Sequence, residues 1–151
     1  MTHPPGDPSG FKVLNEIGIV AQLSGNLFER LLPDGLSLAG FTVLNNGVRL
    51  GDGKTPAELA RAFQVSKATM THTLQRLEAR GLVELRPDAR DGRSKRVHLT
   101  EAGRGAREAA IMSLAPTLAQ LGEAFTPAEL EGLLPTLSRL RAWFDARRTP
   151  I

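Results

Sequence analysis

The spacing of apolar residues predicts two amphipathic helices in the first third of the chain. In the first segment they recur at helical steps, at Leu14, Ile17, Ala21, Phe28 and Leu31. The residues from Pro33 to Gly35 end this helix, and Ser37 begins a second helix. The inward face of the second helix is predicted to carry Phe41, Leu44 and Val48. Gly51, Asp52 and Gly53 then form a turn.

The middle of the chain predicts a helix, a turn, a second helix and a β-hairpin. Thr55, Pro56 and Glu58 form a strong helix start, because Thr caps the helix, Pro suits its first position and Glu reaches back to the cap. After a turn at Gln64 and Val65, Ser66 caps a longer helix with Met70, Leu74 and Leu77 on its inner face. Gly81 ends this helix, and two short strands follow around an Asp91-Gly92 turn.

Two further helices are predicted in the last third of the chain. A long one opens at Thr100 and Glu101 with apolar residues at Ile111, Leu114, Leu118 and Leu121, and Pro116 should kink it. Thr126 to Glu129 repeats the earlier capping box. The final helix shows a heptad-like stripe at Leu130, Leu133, Leu137, Leu140 and Phe144, with a bend expected at Pro135. The predicted fold class is mainly α with a small β-hairpin (α+β).

The apolar stripes of the terminal helices favour a dimer. Three such stripes cannot all be buried inside one small domain of a 151-residue chain, so we expect a second copy to cover them. The alternative is a bundle within a single chain, because a pattern alone does not distinguish a partner from a neighbour.

Charge is concentrated on the predicted helix and hairpin. The whole chain carries a formal charge of +3, while residues 66–100 hold eight Lys or Arg and four Asp or Glu. Such a focused positive segment is typical of a surface that faces phosphates.

The chain has no Cys, which excludes disulfides and thiol chemistry and fits a reducing cytoplasm. The sequence contains no apolar run long enough to cross a membrane, so no membrane partner is expected.

The second helix of this motif and the hairpin tip are the candidate double-stranded DNA-binding elements. A helix-turn-helix inserts its second helix into the major groove. On that helix, Ser66, Lys67 and Thr69 lie near the start, where phosphate is attracted, and the side chains best suited to read bases are Thr71, His72, Gln75 and Arg76. The hairpin tip offers cations for a minor groove at Arg90, Arg93 and Lys95. A solvated polar surface is the alternative interpretation of both.

Several strings along the chain closely resemble the MarR family of bacterial and archaeal regulators. They are Ser66-Lys-Ala-Thr-Met-Thr, Leu77-Glu-Ala-Arg-Gly-Leu-Val83, Asp88-Ala-Arg-Asp-Gly-Arg-Ser-Lys95 and Val97-His-Leu-Thr-Glu-Ala-Gly103. The resemblance implies a single MarR-like domain over residues 11–151 after a flexible Pro-containing tail at residues 1–10. It implies dimerisation helices at 11–32 and 101–151 and a winged helix-turn-helix DNA-binding lobe at 37–100.

The same resemblance implies a homodimer that represses transcription from a pseudo-palindromic site. By the family pattern, Arg93 enters the minor groove, Asp91 organises the hairpin through a salt bridge, and Arg76 and Thr71 contact the major groove. The family often has Arg where His72 stands, so the usual base contact is altered here. A small-molecule effector is implied between the lobe and the dimer helices, where a pocket is expected at Phe28, Phe41, Asn45 and Arg49.

Other functions find little support in the sequence. Gly51-Asp-Gly-Lys-Thr55 resembles the end of a phosphate loop, but Val48 stands where that pattern needs Gly. The three His lack metal-ligand spacing and there is no nucleophile motif, so we expect no enzyme activity, no metal and no cofactor. The serious alternative is a winged-helix module that binds protein rather than DNA.

Overall fold

The computed structural model describes residues 3–148. Within that range the chain forms seven helices and one two-stranded antiparallel sheet. In chain order these are α1 (Ser9–Leu31), α2 (Leu38–Leu50), α3 (Pro56–Phe63), α4 (Lys67–Ala79), β1 (Val83–Pro87), β2 (Lys95–Leu99), α5 (Glu101–Ser113), α6 (Ala115–Ala124) and α7 (Pro127–Asp145). The mainly α class with a small hairpin is confirmed.

Side-chain caps start most of these helices at the residues that the sequence predicted. The hydroxyl groups of Thr55 and Thr126 each accept the backbone N–H three residues on, and Glu58 and Glu129 bond back to the cap N–H groups. The Thr126 backbone N–H, and then its hydroxyl, hold the pKa of Glu129 below its usual value. Ser66 caps α4 in a similar way. Local sequence therefore fixes where these helices begin.

Three local predictions need correction. Ser9 and Gly10 belong to α1 rather than to a tail that ends at residue 10, because the chain becomes helical directly after Pro8. The long helix predicted from residue 101 is divided at Leu114, which lets Pro116 take an early position in α6 where its missing N–H costs nothing. Val48 is exposed, and Val43 is buried in its place.

The hydrophobic core lies in the central part of the chain. It joins α2, α3, α4, the hairpin and α5, and its largest fully buried side chains are Val43, Leu44, Leu74 and Val83. The terminal helices α1, α6 and α7 contain no buried residue.

No helix in residues 3–148 is long and apolar enough to cross a membrane. The predicted tail and the predicted range 101–151 both extend beyond the described residues.

Candidate nucleic-acid interface

The turn between α3 and α4 is tight and locally determined. Gln64 follows α3 in the left-handed region with φ 53°, and its backbone N–H returns to the carbonyl oxygens of Ala60 and Arg61. Val65 N–H also bonds to Ala60 O, at 3.0 Å. Ser66 then accepts the N–H of Thr69 at 3.1 Å and begins α4. This geometry is a helix-turn-helix, as the sequence predicted.

The outer face of α4 is fully available to a partner. All seven candidate residues on and before this helix are exposed: Ser66, Lys67, Thr69, Thr71, His72, Gln75 and Arg76. Met70, Leu74 and Leu77 hold the opposite face in the core. Thr73 is buried as well, and its hydroxyl donates to the carbonyl oxygen of Thr69 at 3.1 Å. The Thr73 hydroxyl therefore bonds within α4 and does not face a partner, although a polar residue type alone suggested an outward position.

The hairpin forms a two-stranded antiparallel ribbon with a largely exposed loop at its end. The two strands pair from Val83 opposite Leu99 to Pro87 opposite Lys95. The loop closes through Asp88 N–H to Ser94 O at 2.8 Å and Ser94 N–H to Asp91 O at 3.0 Å. The candidate cations Arg90, Arg93 and Lys95 are all exposed. We call residues 83–99 the wing.

The wing salt bridge involves a different aspartate from the expected one. Asp91 forms no salt bridge within residues 3–148; its carboxylate accepts the backbone N–H of Arg93 at 3.0 Å. The ion pair is made by Asp88, whose Oδ2 lies 2.9 Å from Arg96 Nη2. Asp88 lies two residues beyond Arg86, the cross-strand partner of Arg96, so Asp88 and Arg96 share one face of the ribbon. Asp91 thus orders the turn, and Asp88 neutralises an arginine.

Five cations of the candidate interface are free of salt bridges within the described part of the chain. They are Lys67, Arg76, Arg90, Arg93 and Lys95, whereas the neighbouring Arg86 and Arg96 are paired with Glu84 and Asp88. A cation without an internal partner keeps its attraction for an external anion. The exposed positive charge on α4 and the wing is therefore available to phosphates.

An isolated antiparallel β-bridge between Lys54 and Val97 connects the wing to the helix-turn-helix. Gly53 N–H donates to Val97 O at 2.9 Å, and Val97 N–H donates to Lys54 O at 2.9 Å. The Asp52 carboxylate accepts the N–H of Leu99 at 3.0 Å. The sequence indicated only a turn here, because the pairing joins residues more than forty positions apart. These contacts hold the start of α3 against β2.

The contacts of Lys54 and Thr55 argue against a phosphate loop at Gly51 to Thr55. Lys54 Nζ donates to Asn46 Oδ1 at 2.9 Å, and Thr55 is engaged as the cap of α3. Neither side chain is free to bind a nucleotide phosphate or its metal. Residues 3–148 also contain no group of three or more His, Asp or Glu side chains placed to hold a metal ion.

The four residues expected to line an effector pocket differ in their surroundings. Phe28 and Phe41 pack edge to face with ring centroids 4.6 Å apart. The Asn45 side-chain oxygen accepts from Arg107 at 3.1 Å, which leaves that oxygen occupied, and Arg49 is exposed. Of the four, Phe28 borders an open cavity of about 710 Å³ that lies between α1 and α6. Its other lining residues are Ala21, Ser24, Gly25, Leu27, Leu114, Thr117, Leu118, Gln120, Leu121 and Ala124.

Comparison with known proteins agrees with this architecture. A family model described as MarR family matches residues 34–94. The apo form of wild-type MarR from E. coli is 29% identical, covers 91% of this chain and 98% of its own, and superimposes with a TM-score of 0.73. The transcriptional regulator BldR from Sulfolobus solfataricus is 27% identical, covers 86% and 95%, and has a TM-score of 0.71.

A third structure supports the fold alone. BpsR from Bordetella bronchiseptica is 24% identical, covers 86% of this chain and 98% of its own, and has a TM-score of 0.69. A helix-turn-helix followed by a basic hairpin and carried between terminal helices defines a winged-helix DNA-binding regulator. Residues 34–94 match the MarR family model, and over most of its length the chain is similar to the two transcription regulators MarR and BldR.

Proposed function

We propose that this protein is a ligand-responsive repressor that binds a pseudo-palindromic operator as a homodimer. The observation that carries the proposal is the set of exposed, unpaired cations on α4 and the wing: Lys67, Arg76, Arg90, Arg93 and Lys95. Because α4 leads directly into β1, both elements belong to one rigid lobe. A single lobe can thus present a helix to the major groove and a β-ribbon to the minor groove of one duplex.

The residues of α4 fit the work of reading a major groove. Arg76 can form a bidentate contact with guanine, Gln75 can pair with adenine, and the methyl group of Thr71 can touch thymine. His72 replaces the Arg that the family often has, so sequence preference at its base pair should differ from that of such relatives. Ser66, Lys67 and Thr69 lie at the helix start, where they suit contacts with phosphates.

The wing residues fit a minor groove in a different way. Arg93 is exposed at the ribbon end, and the bond from its N–H to Asp91 fixes the backbone from which its side chain extends. A narrow minor groove has the most negative potential along the duplex, which favours insertion of an arginine. Arg90 and Lys95 add positive charge beside the flanking phosphates.

The terminal helices support the homodimer. In the single chain, large apolar side chains of α1 and α7 are extensively exposed, including Phe11 at 56%, Leu133 at 57% and Trp143 at 51%. An apolar surface of this extent on terminal helices marks an interaction site, and a second copy offers the same surface in return. Two-fold symmetry would place the two α4 helices about 34 Å apart, one turn of DNA.

A small-molecule effector is supported by the cavity between α1 and α6. Its volume of about 710 Å³ and its mainly apolar lining suit an organic molecule. The DNA binding of BpsR is regulated by 6-hydroxynicotinic acid, which gives one precedent on this fold. Arg148, which follows α7, donates to the carbonyl oxygens of Arg61 and Ala62 at 3.0 and 2.8 Å and so connects the end of the last helix to the lobe.

A mobility shift against the promoter DNA beside the protein's own gene tests DNA binding. We expect Arg93→Ala to weaken binding about tenfold on every duplex that binds, and Arg76→Ala to reduce discrimination between matched and mutated sites by a similar factor. Arg30→Ala, which removes an exposed cation from α1, is the control and should change neither property. Unchanged affinity and discrimination in both variants would reject the groove assignment.

Salt dependence separates DNA binding from the alternative of a protein-binding module. Contacts with phosphates release counterions, so the DNA affinity of the wild-type protein should fall steeply between 50 and 200 mM salt. A protein-binding lobe would show no such dependence on any duplex. Absence of DNA binding at low salt would therefore favour the module.

A further inference from the structure

The guanidinium group of Arg96 joins three separate parts of the lobe. Its Nε donates to Asp88 Oδ2 at 2.9 Å, and its Nη2 lies 2.9 Å from the same oxygen. Its Nη1 donates to the carbonyl oxygen of Gly53 at 2.8 Å. The Arg96 side chain is 39% exposed and that of Asp88 only 13% exposed. Arg96 is thus committed to contacts inside the protein, unlike the free cations near it.

Asp88 continues this chain of contacts into the loop at the end of the wing. Its Oδ1 accepts the backbone N–H of Arg90 at 3.0 Å, while its own N–H donates to Ser94 O at 2.8 Å. The Arg90 N–H, followed by the Arg96 guanidinium, holds the pKa of Asp88 below its usual value. The carboxylate is therefore charged at neutral pH and organises both ends of the loop.

Gly53 extends the same series of hydrogen bonds toward the helix-turn-helix. Gly53 and Lys54 pair with Val97 on β2, and the next residue, Thr55, is the cap of α3. A continuous path of hydrogen bonds and covalent bonds thus runs from the Arg90 amide through Asp88, Arg96 and Gly53 to the start of α3. One end of the path, at the wing loop, lies beside Arg93. The other end is the start of α3, the first helix of the helix-turn-helix that contains α4.

We propose that Arg96 is a positioning residue that fixes the wing loop relative to the helix-turn-helix, so that Arg93 and α4 reach adjacent grooves together. The inference rests on the proposed groove contacts of those two elements. Binding groups must be held within about half an ångström of their working geometry by such supporting contacts. A guanidinium suits the task because its planar fork donates in fixed directions to two acceptors at once, which the Lys ammonium cannot reproduce.

Arg86 provides a matched comparison on the neighbouring strand. It is also an arginine on the ribbon, but its Nε and Nη2 donate to Glu84 on its own strand at 3.1 and 2.9 Å. Both partners are exposed and the pair connects no second element. The change Arg86→Lys removes a ribbon guanidinium at constant charge without breaking the path to Gly53.

A double-mutant cycle on operator affinity tests the proposal. Arg96→Lys keeps the positive charge but loses the planar guanidinium that donates to two acceptors. We expect it to weaken operator binding about tenfold in the wild-type chain. In the Arg93→Ala chain the loss should be less than twofold, because the side chain that Arg96 positions is already absent. Arg86→Lys should leave affinity unchanged in both chains.

Hydrogen exchange of the free protein gives a readout that does not depend on DNA. The Asp88 amide, bonded to Ser94 O, should exchange faster in Arg96→Lys, while the amides of α4 should be unaffected. Equal weakening by Arg96→Lys with and without Arg93, or unchanged exchange at Asp88, would overturn the positioning role alone. A wild-type protein that binds no duplex would overturn the proposed function and this inference with it.

Discussion

Replacing Leu133 and Leu137 together with Glu should convert the proposed dimer into single chains and lower operator affinity by at least about 100-fold. The affinity loss follows from valency, because linking two binding modules raises avidity by roughly 10² to 10⁴ over either module alone. A single lobe would retain only its own phosphate and base contacts. The double variant should therefore still bind DNA weakly at low salt.

The two positions are chosen because their side chains contribute little to the single-chain core. Leu133 and Leu137 are 57% and 41% exposed, and α7 contains no buried residue. In the separate chain the new carboxylates stay in water at small cost. In a dimer they would be buried without partners, which costs several kcal/mol per charge.

Sedimentation velocity and a mobility shift on the same samples check this prediction. Leu50→Glu is the control, since Leu50 is 63% exposed but lies at the end of α2, outside the terminal helices. It should leave both the mass and the operator affinity unchanged. A double variant that remains dimeric would contradict the assignment of α7 to the interface, and single chains with undiminished affinity would contradict the two-lobe mode of binding.

The helix-turn-helix could be predicted because its signals are local. Thr55 and Ser66 each cap a helix through atoms three residues away, and Met70, Leu74 and Leu77 repeat at helical spacing. Such contacts are encoded within one turn of sequence, so no tertiary knowledge is needed. The exposed positions of the candidate readers on α4, Thr71, His72, Gln75 and Arg76, follow directly from the same periodicity.

The contacts that organise the wing could not be predicted from the same signals. Arg96 reaches Gly53 across 43 positions, and Leu99 N–H reaches Asp52 across 47. The wing salt bridge is made by Asp88 with Arg96 and not by Asp91, and this pairing depends on cross-strand register, which the turn sequence alone left undetermined. Asn45 was predicted to line a pocket, yet it is held by Arg107 from α5, 62 positions away.

Gly103→Ala should destabilise the protein by about 3 kcal/mol or more, the upper end of overpacking costs. Gly103 is buried in the first turn of α5, where its N–H donates to Thr100 Oγ1. A Cβ there would overlap the backbone carbonyl oxygen of Leu82 and lie 3.4 Å from Leu44 Cδ2. Backbone cannot swing aside as a side chain can, so α5 must shift away from β1.

Gly105→Ala provides a matched control two residues further along the same helix. A Cβ at Gly105 meets no atom within 4 Å, and the residue is exposed. This change should raise the free energy of unfolding by roughly 0.5 to 1 kcal/mol, because Ala favours a helix over Gly. Thermal and urea unfolding at one fixed protein concentration would measure both variants. Equal stability of the two variants would contradict the close approach of α5 to the Leu82 carbonyl. That carbonyl also accepts the N–H of Thr100, directly after β2, so the same approach helps to hold α5 against the wing.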